Sequence, residues 1–411
     1  MKKVLALVLA VMMVVSVFAA CGNKPADNGS AGNNASSNSS GNSGNSGNSD
    51  NNSDGASGAV KIGMCGPLTG GAAVYGTAVQ VGMEIAVEEI NALGGLQFEL
   101  NCQDDEHDTE KAANAYNNLM DWGMQIMAGP VTSNPAKVVA AECTADGVFM
   151  LTPSASADAV IEYGDNIFQI CFKDTNQGIA SANYMYQKNL GTTYGVIYDS
   201  SDAYSTGIYE KFMAQAQANG MNVAKVTSFT ADSKDNLTQQ VTDCKEAGCD
   251  VVFLPFYASE AVQVLTYANT IGYEPIFFGC DGLDGILAVE GFDPALAEGV
   301  MLLTPFSADS SDEATQAFVA EFQKRTGIIP NQFAADAYDV IYSLYMACVA
   351  GGVTADMSAE EISEILIEQF TSSDFTFDGL TGKGMTWDET GAVSKSPMAV
   401  IIENGVYVGV E

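Results

Sequence analysis

The sequence predicts an α/β protein of two lobes, each a parallel sheet with helices on both faces, joined by a hinge of crossing segments. Three observations lead to this fold class. Short β-branched and apolar runs alternate with segments whose apolar residues recur every 3.6 residues, a pattern typical of βαβ units in parallel sheets. The roughly ten strand candidates are more than one ordinary open sheet contains. The length of 411 residues is enough for two or three domains, each with its own core.

Residues 1–20 have the pattern of a secretory signal peptide. Two lysines precede an apolar run at 4–17 that is too short to span a bilayer. The ending Phe-Ala-Ala-Cys-Gly at 18–22 resembles the lipobox of bacterial lipoproteins, in which the signal is cleaved before a cysteine that receives diacylglycerol. We therefore expect lipidation at Cys21 and an exported protein anchored to the outer face of the cell membrane, as in a Gram-positive type of bacterium. The alternative is an ordinary secretory signal with an incidental cysteine.

The segment 21–58 begins with that cysteine and is otherwise mostly Asn, Ser and Gly. Such a composition has too little apolar surface to offset the entropy of ordering, so we expect a flexible coil. About 37 residues of this kind span roughly 30–36 Å. We therefore expect a tether between the lipid anchor and a globular body, the alternative being a linker without an anchor.

The body at 59–411 contains the predicted strands and helices in alternation. The strand candidates are 59–65, 98–102, 125–128, 148–151, 167–171, 195–198, 223–229, 251–254, 276–279 and 300–303. Val79, Met83, Ala86, Ile90 and Leu93 are spaced 4, 3, 4 and 3 residues apart and so predict one face of a helix. Further helices are predicted at 204–219, 235–247, 258–272, 311–325 and 332–350, and a terminal β hairpin at 398–402 and 406–410.

The chain is expected to cross between the lobes near 173–178 and again near 304–307. We assign 59–175 and 308–365 to the first lobe, and 176–305 and 366–411 to the second lobe. Ligands of open α/β sheets bind at the carboxyl ends of the strands. We therefore expect a hinge with a ligand cleft between the lobes.

The charge balance excludes several classes of function. The chain has 51 Asp and Glu but only 16 Lys and Arg, a formal net charge of −35, so we expect no nucleic-acid partner and no membrane contact beyond the lipid anchor. His107 is the single histidine, which leaves little material for a histidine base or a histidine metal site. The acidic loop 104–108 around it looks like a metal motif, but we expect a solvated loop outside the cleft, without a metal.

The nine cysteines lack the spacing of a disulfide framework. Several lie in apolar strands, so we expect buried free thiols. Cys244 and Cys249 are close enough in sequence that pairing of these two stays open.

The loops after strands are the expected ligand sites. The loop 66–76 has neither a Walker lysine nor a G-x-G-x-x-G pattern, so nucleotide binding is not indicated. The loops 129–135 and 152–157 each place small hydroxyl residues between a strand and a helix. Hydroxyl and N–H groups at helix N-termini are suited to a carboxylate, although plain helix caps are the alternative.

These features together resemble the leucine/isoleucine/valine-binding type of periplasmic binding protein, the receptor component of ABC importers for amino acids. The resemblance covers nearly all of 59–411. The segments that support it are Ile62-Gly63, Gly-Pro-Leu-Thr-Gly at 66–70, Glu-Ile-Asn-Ala-Leu-Gly-Gly at 89–95, Asp104-Asp105 with Asp108, Gly129, Thr152-Pro153, Asp199 with Tyr204 and Gly207, and Phe-Asp-Gly-Leu-Thr-Gly at 377–382.

The resemblance implies a type I periplasmic-binding-protein fold and a set of ligand-binding residues. It implies that Ser133, Ala155 and Ser156, with the backbone of Val131 and Thr132, hold a ligand carboxylate, that Asp281 meets the ammonium, and that Tyr75, Tyr204 and Tyr257 form aromatic walls. A zwitterion requires donors and an acid on opposite lobes, so that closure completes both sets of bonds. Two alternatives remain. Tyr257 would serve only in packing, and Asp281 would be the N-cap of a helix at 282–289.

The expected function is a non-catalytic, lipid-anchored receptor that delivers an amino acid, branched-chain or a similar small zwitterion, to an ABC permease. We expect a monomer without a cofactor or metal. A nucleophile at Ser133 or Ser156 would lack a base, so an enzyme is disfavoured. The polar third loop and the short acid Asp281 leave side-chain specificity open. The alternatives are a receptor of the same fold for a small amide, amine or sugar, and a sensory ligand-binding subunit.

Overall fold

The computed structural model describes residues 58–410. The predicted signal peptide, the lipidation site Cys21 and the tether up to residue 57 lie outside the described residues.

The first lobe is built on five parallel strands. They are β1 (Val60–Gly66), β2 (Phe98–Asp104), β3 (Ile126–Met127), β4 (Phe149–Thr152) and β5 (Ile167–Gln169). Their spatial order is β2-β1-β3-β4-β5. Six of the seven residues of β1 are buried, because helices cover both faces of a parallel sheet.

Three helices connect these strands, namely α1 (Ala73–Ala92), α2 (Thr109–Trp122) and α3 (Ser133–Asp146). The Asp108 side chain caps α2 by accepting hydrogen bonds from the N–H groups of Glu110 and Lys111. Helix α3 begins directly after the loop that follows β3. The N-terminus of α3 therefore lies at the carboxyl edge of the sheet, where a ligand is expected.

The second lobe begins with α4 (Asp174–Gln187). It continues through β6 (Tyr194–Asp199), α5 (Ala203–Asn219), β7 (Val223–Phe229), α6 (Thr238–Glu246), β8 (Val251–Leu254), α7 (Ala258–Thr270), β9 (Ile276–Gly279) and β10 (Met301–Thr304). Short 3₁₀ turns follow β9 at Asp281–Leu283, Ile286–Ala288 and Pro294–Ala297. The strands β7, β6, β8, β9 and β10 are parallel neighbours in that order.

The chain then returns to the first lobe as α8 (Glu313–Thr326), α9 (Gln332–Gly351) and α10 (Ala359–Thr371). It ends in a hairpin of β11 (Met398–Glu403) and β12 (Val406–Val410), which extends the second sheet in antiparallel fashion beyond β10. Asn404 and Gly405 form the turn with φ of 53° and 74°, the left-handed conformations that a two-residue Asn-Gly hairpin turn requires.

The structure confirms the fold class and the ten strand candidates, but the predicted lobe boundary at 366 is wrong. Phe370 of α10 packs against Phe149 and Phe168 of the first sheet, with ring centroids 5.3 and 5.6 Å apart. The Trp387 indole N–H donates to the carbonyl of Gln169 at 2.7 Å. The apolar face of α10 and the segment after it therefore belong to the first lobe, and only the final hairpin joins the second sheet.

Three crossing segments form the hinge, after β5, after β10 and before β11. The third contains Lys395, whose ammonium lies 2.6 Å from Asp336 Oδ1 and 2.6 Å from the hydroxyl of Thr381. The side chains of Lys395 and Asp336 are 0% and 2% exposed. This buried ion pair fixes the third crossing to α9.

No helix between residues 58 and 410 combines the length and apolarity needed to cross a bilayer. Cys244 and Cys249 are buried free thiols, as are five of the other six cysteines in this part of the chain, and Cys102 is a half-buried free thiol.

Candidate functional site

A small cavity lies between the two lobes, at the carboxyl ends of their strands. It is lined by Tyr75, Val131, Thr132, Ser154, Tyr204, Tyr257, Asp281, Gly282 and Phe333. Six of these nine residues are among those predicted from the sequence. Each lobe contributes to the lining, so the cavity is the predicted interlobe cleft.

The cleft is closed, and Tyr75 lies across it. The hydroxyl of this first-lobe residue donates to the carbonyl of Gly282 at 2.6 Å and accepts from the N–H of Ala258 at 2.7 Å, both in the second lobe. The cavity leaves about 10 Å³ for a water-sized sphere, about the minimum that one water molecule requires. An amino acid would therefore enter only when the lobes separate or Tyr75 moves.

Aromatic rings form most of the cavity wall. Tyr204 and Tyr257 stack with ring centroids 5.1 Å apart, and Tyr257 also contacts Tyr75 at 5.3 Å. The edge-to-face contact between Tyr75 and Phe333, at 4.8 Å, closes the opposite side. Phe333 was not predicted, because in the sequence it belongs to the apolar stripe of a long helix and nothing marks it as facing a ligand.

Asp281 is buried in the cavity wall, with 3% of its surface exposed. Its Oδ1 accepts from the Tyr204 hydroxyl at 2.7 Å and its Oδ2 accepts from the Gln177 amide at 3.0 Å. It opens a 3₁₀ turn without capping one, so the N-cap alternative does not describe it. Burial raises the pKa of Asp281 to about 7, against the opposing effect of the Tyr204 and Gln177 hydrogen bonds.

Asp174 is a second buried acid near the cavity, and sequence reasoning missed it. Its carboxylate is 0% exposed. Oδ1 accepts from the Ser156 hydroxyl at 2.8 Å, and Oδ2 has no hydrogen-bond partner among the described residues. Burial raises the pKa of Asp174 well above its usual range, and the charge of Asp281 raises it further. The predicted crossing near 173–178 was the available signal, because an acid near the start of a crossing segment lies where the two lobes meet.

Val131 and Thr132 line the cavity, whereas the other three predicted carboxylate donors, Ser133, Ala155 and Ser156, do not. Ser133 Oγ accepts from the N–H of Ala157 at 3.3 Å, so its own hydroxyl hydrogen is available to donate. The Ser156 hydroxyl hydrogen is already donated to Asp174. The N–H of Ala155 donates to Thr152 Oγ1 at 2.9 Å. A carboxylate-binding role for these three residues stays a prediction.

Ser154, which was not singled out, fixes the geometry of the two loops. Its hydroxyl donates to the carbonyl of Val131 at 2.6 Å. Thr152 Oγ1 donates to the carbonyl of Pro130 at 2.6 Å. The side chain of Thr132, the residue before α3, makes no capping bond, which leaves its hydroxyl free for another partner.

That partner is His107, and the expectation that its loop lies outside the cleft is wrong. His107 Nδ1 lies 2.9 Å from Thr132 Oγ1. The imidazole also contacts the ring of Tyr257 edge-to-face at 5.2 Å. The loop reaches the cleft because Asp105 anchors it to β1, donating its N–H to the carbonyl of Gly66 at 3.0 Å.

The two buried acids at the cavity, Asp281 and Asp174, lack a basic partner within the described part of the chain. Within residues 58–410, neither Asp281 nor Asp174 forms an ion pair with a Lys or Arg side chain. The same part of the chain has no group of three His, Cys, Asp or Glu side chains arranged to hold a metal ion. A cationic group of a ligand would therefore meet unneutralised carboxylates.

The family model described as periplasmic binding protein matches residues 59–404. The chain belongs to the periplasmic binding protein family. The two parallel-sheet lobes, the three crossings and the interlobe cavity agree with this family, and the predicted resemblance to its leucine/isoleucine/valine-binding type is confirmed.

Three similar proteins illustrate the relationship. The leucine-, isoleucine-, valine-, threonine-, and alanine-binding protein of Pseudomonas aeruginosa is 28% identical over 343 residues, 81% of this chain and 86% of that protein. The Leu/Ile/Val-binding protein homolog 3 of Brucella melitensis is 28% identical over 306 residues, 73% of this chain and 81% of that protein. The crystal structure of the branched-chain amino acid transporter substrate-binding protein LivJ from Streptococcus pneumoniae, in complex with isoleucine, has a TM-score of 0.76 at 25% identity, covering 86% of this chain and 100% of that one.

Proposed function

We propose that this periplasmic binding protein is the receptor of an ABC importer, which binds a neutral α-amino acid between its lobes and delivers it to the permease. The observation that supports this most strongly is Asp281, a buried carboxylate in the cavity wall whose partners are neutral. A ligand ammonium would supply the missing positive charge. The similar proteins bind branched-chain amino acids by their names, which supports the same class of ligand here.

The opposite side of the cavity offers donors for the ligand carboxylate. Val131 and Thr132 line the cavity directly before α3, and the N-terminus of a helix of 14 residues attracts an anion through its free N–H groups and dipole. The unused hydroxyl hydrogen of Ser133 adds a further donor. Closure would then bring carboxylate donors of the first lobe and Asp281 of the second lobe onto one zwitterion.

Export, the lipid anchor at Cys21 and a monomeric state complete this proposal. They rest on the sequence of residues 1–58 and on the acidic composition. The anchor is tested by C21S, which should move the protein from the membrane fraction into the soluble fraction. Retention of the variant in the membrane would overturn the anchor without affecting the ligand.

Calorimetric titration of the purified protein with the common amino acids tests the ligand class. A ligand at about 100 times its dissociation constant should stabilise the fold by about 2.7 kcal/mol in a parallel thermal-shift measurement. Asp281→Ala should weaken binding by about 2–5 kcal/mol, because the ammonium would lose its buried partner. The control is Asp312→Asn, which keeps an N-cap on α8 while removing one charge far from the cleft.

Two outcomes would contradict the proposal. If the titrations detect no binding of any amino acid but do detect binding of a sugar or an amide, the fold assignment stands and the proposed ligand class is wrong. An unchanged affinity in Asp281→Ala would show that the ammonium binds elsewhere.

A further inference from the structure

His107 and Asp202 face each other across the cleft, outside the ligand cavity. His107 belongs to the loop between β2 and α2 in the first lobe, and Asp202 is the N-cap of α5 in the second lobe. His107 Nε2 lies 4.0 Å from Asp202 Oδ2. That separation exceeds a hydrogen bond by only about 1 Å, so a small rotation of either side chain would join the two atoms.

The Asp202 carboxylate has one oxygen available for such a contact. Oδ1 accepts from the N–H of Ser205 at 3.1 Å. Oδ2 is buried and has no hydrogen-bond partner among the described residues. An unpaired buried carboxylate oxygen costs free energy, and His107 Nε2 lies 4.0 Å from it.

The His107 imidazole is oriented toward Asp202 by its other nitrogen. When Nδ1 accepts the hydroxyl hydrogen of Thr132, Nε2 retains its hydrogen and directs it to the second lobe. Burial, together with the charge of Lys234, lowers the pKa of His107 to about 4. A neutral imidazole with this tautomer presents an N–H group toward Asp202 at neutral pH.

The backbone that presents His107 is held in an uncommon conformation. Glu106 and His107 have φ of 49° and 59°, the left-handed region that few non-glycine residues adopt. Two adjacent carboxylates hold them there. Asp104 Oδ1 accepts from the N–H of Glu106, and Asp105 Oδ1 accepts from the N–H of His107, both at 2.9 Å.

Asp202 is held just as firmly at the lobe interface. The N–H of Ala203 donates to Asn134 Oδ1 at 3.2 Å, and Asn134 Nδ2 donates to the carbonyl of Ser201 at 3.4 Å. Asn134 belongs to α3 of the first lobe, so both neighbours of Asp202 already contact the opposite lobe. These two hydrogen bonds of Asn134 across the lobe interface restrain the backbone on both sides of Asp202.

We propose that His107 and Asp202 form an interlobe clasp, a hydrogen bond from Nε2 to Oδ2 that stabilises the closed arrangement of the lobes, with or without a ligand. The clasp is a positioning device, because neither residue lines the cavity. It acts on the ligand through the cavity residues Thr132 and Tyr257, which the imidazole contacts from the two lobes. It goes beyond the proposed function, because it concerns closure and not the identity of the ligand.

A double-mutant cycle on ligand affinity tests the clasp. His107→Ala should weaken binding of the amino acid found by calorimetry by about three- to tenfold, the value of one net hydrogen bond. Asp202→Asn should do the same while keeping the cap on α5, since Asn caps helices as well as Asp. The double variant should be no weaker than either single variant, because both remove one bond. His107→Gln, which retains a neutral donor, should recover most of the affinity.

The matched control is Asp108→Asn. It changes another N-cap acid on the same loop as His107, but one whose side chain bonds to the N–H groups of Glu110 and Lys111 within the first lobe. Its affinity should equal that of the original protein. Two results would overturn the clasp. One is a loss of affinity in the double variant equal to the product of the two single losses. The other is single variants that unfold more easily but bind the ligand normally.

The ligand-free protein provides a readout that does not depend on the proposed function. The radius of gyration from small-angle X-ray scattering should increase in His107→Ala and stay unchanged in Asp108→Asn, because only the first variant loses an interlobe contact. An identical radius in both variants, together with identical affinity where a ligand is known, would refute the proposal. Failure of every amino acid to bind, with an increased radius in His107→Ala, would overturn only the proposed ligand class.

Discussion

Buried carboxylates occur in two regions of this molecule, the hinge and the cleft, and their partners differ. In the hinge, Asp336 is paired with the ammonium of Lys395. Asp339, one turn later on α9, accepts from the N–H groups of Leu380 and Thr381 and from the Thr381 hydroxyl, at 2.6–2.9 Å. Every hinge carboxylate in this cluster therefore has its charge balanced or its oxygens bonded by the chain itself.

The cleft is different. Asp281 has two neutral donors, Asp174 has one, and Asp202 has an unpartnered oxygen. None of the three is paired with a Lys or Arg within residues 58–410. Buried charge that the chain does not neutralise must be neutralised by a proton or by a ligand. The hinge therefore uses paired charges to fix the structure, whereas the cleft keeps its acidic groups available for ligand binding.

The largest effect should come from breaking the hinge pair. Asp336→Ala should lower the free energy of unfolding by about 3–5 kcal/mol, because it leaves the fully buried ammonium of Lys395 without its partner. Urea denaturation at neutral pH measures the loss. Lys324→Ala is the matched control, since Lys324 pairs with Glu321 at 2.8 Å but is 74% exposed, and its removal should cost at most about 0.5 kcal/mol. Equal losses in the two variants would show that burial is not what distinguishes the hinge.

Much of this architecture follows from the sequence because its determinants are local. Strands, helices and the loops that follow strands depend on periodicity and chain order, whereas Tyr75, Thr132 and Asp281 were implied by the resemblance to the family. The lobe to which α10 belongs was not predictable, because an amphipathic pattern does not specify which sheet it covers. Phe370 decides that question only through its contacts in the folded protein.

The missed site residues share another cause. Asp174 and Phe333 both lie in the first turn of a helix, and the sequence does not show what that turn meets across the cleft. His107 was placed outside the cleft because its acidic loop was expected to be solvated. The pattern of strands within one lobe indicates where a loop leaves that lobe. It does not indicate which loop of the other lobe lies opposite.

The second prediction concerns pH and separates the cleft from the hinge. Burial raises the pKa of Asp281 to about 7, so below that pH the carboxyl holds a proton that an ammonium ligand must displace. Affinity should therefore fall as the pH falls below about 7, by up to tenfold per pH unit, and level off above it. Calorimetry in two buffers of different ionisation enthalpy should detect proton release near pH 6 and almost none near pH 8.

Asp281→Asn should remove this pH dependence along with most of the affinity. A profile that stays flat in the original protein would mean that Asp281 is already ionised before the ligand arrives. The contrast between the two regions would then rest on the hydrogen-bond and ion-pair partners of their carboxylates alone.

The smallest effect should come from Tyr75, which tests whether the cleft also stabilises its own closed form. Tyr75→Phe removes one hydroxyl and both of its bonds to the second lobe, and should weaken amino-acid binding by about 0.5–1.5 kcal/mol. The control is Tyr342→Phe, which removes a hydroxyl bonded at 2.7 Å to Glu89 within the first lobe and should leave affinity unchanged. The sign of the Tyr75 effect is informative, because tighter binding in Tyr75→Phe would mean that the hydroxyl competes with the ligand for the N-terminus of α7. Weaker binding would mean that the chain contributes neutral bonds to closure and leaves only the charge of the cleft for the ligand to complete.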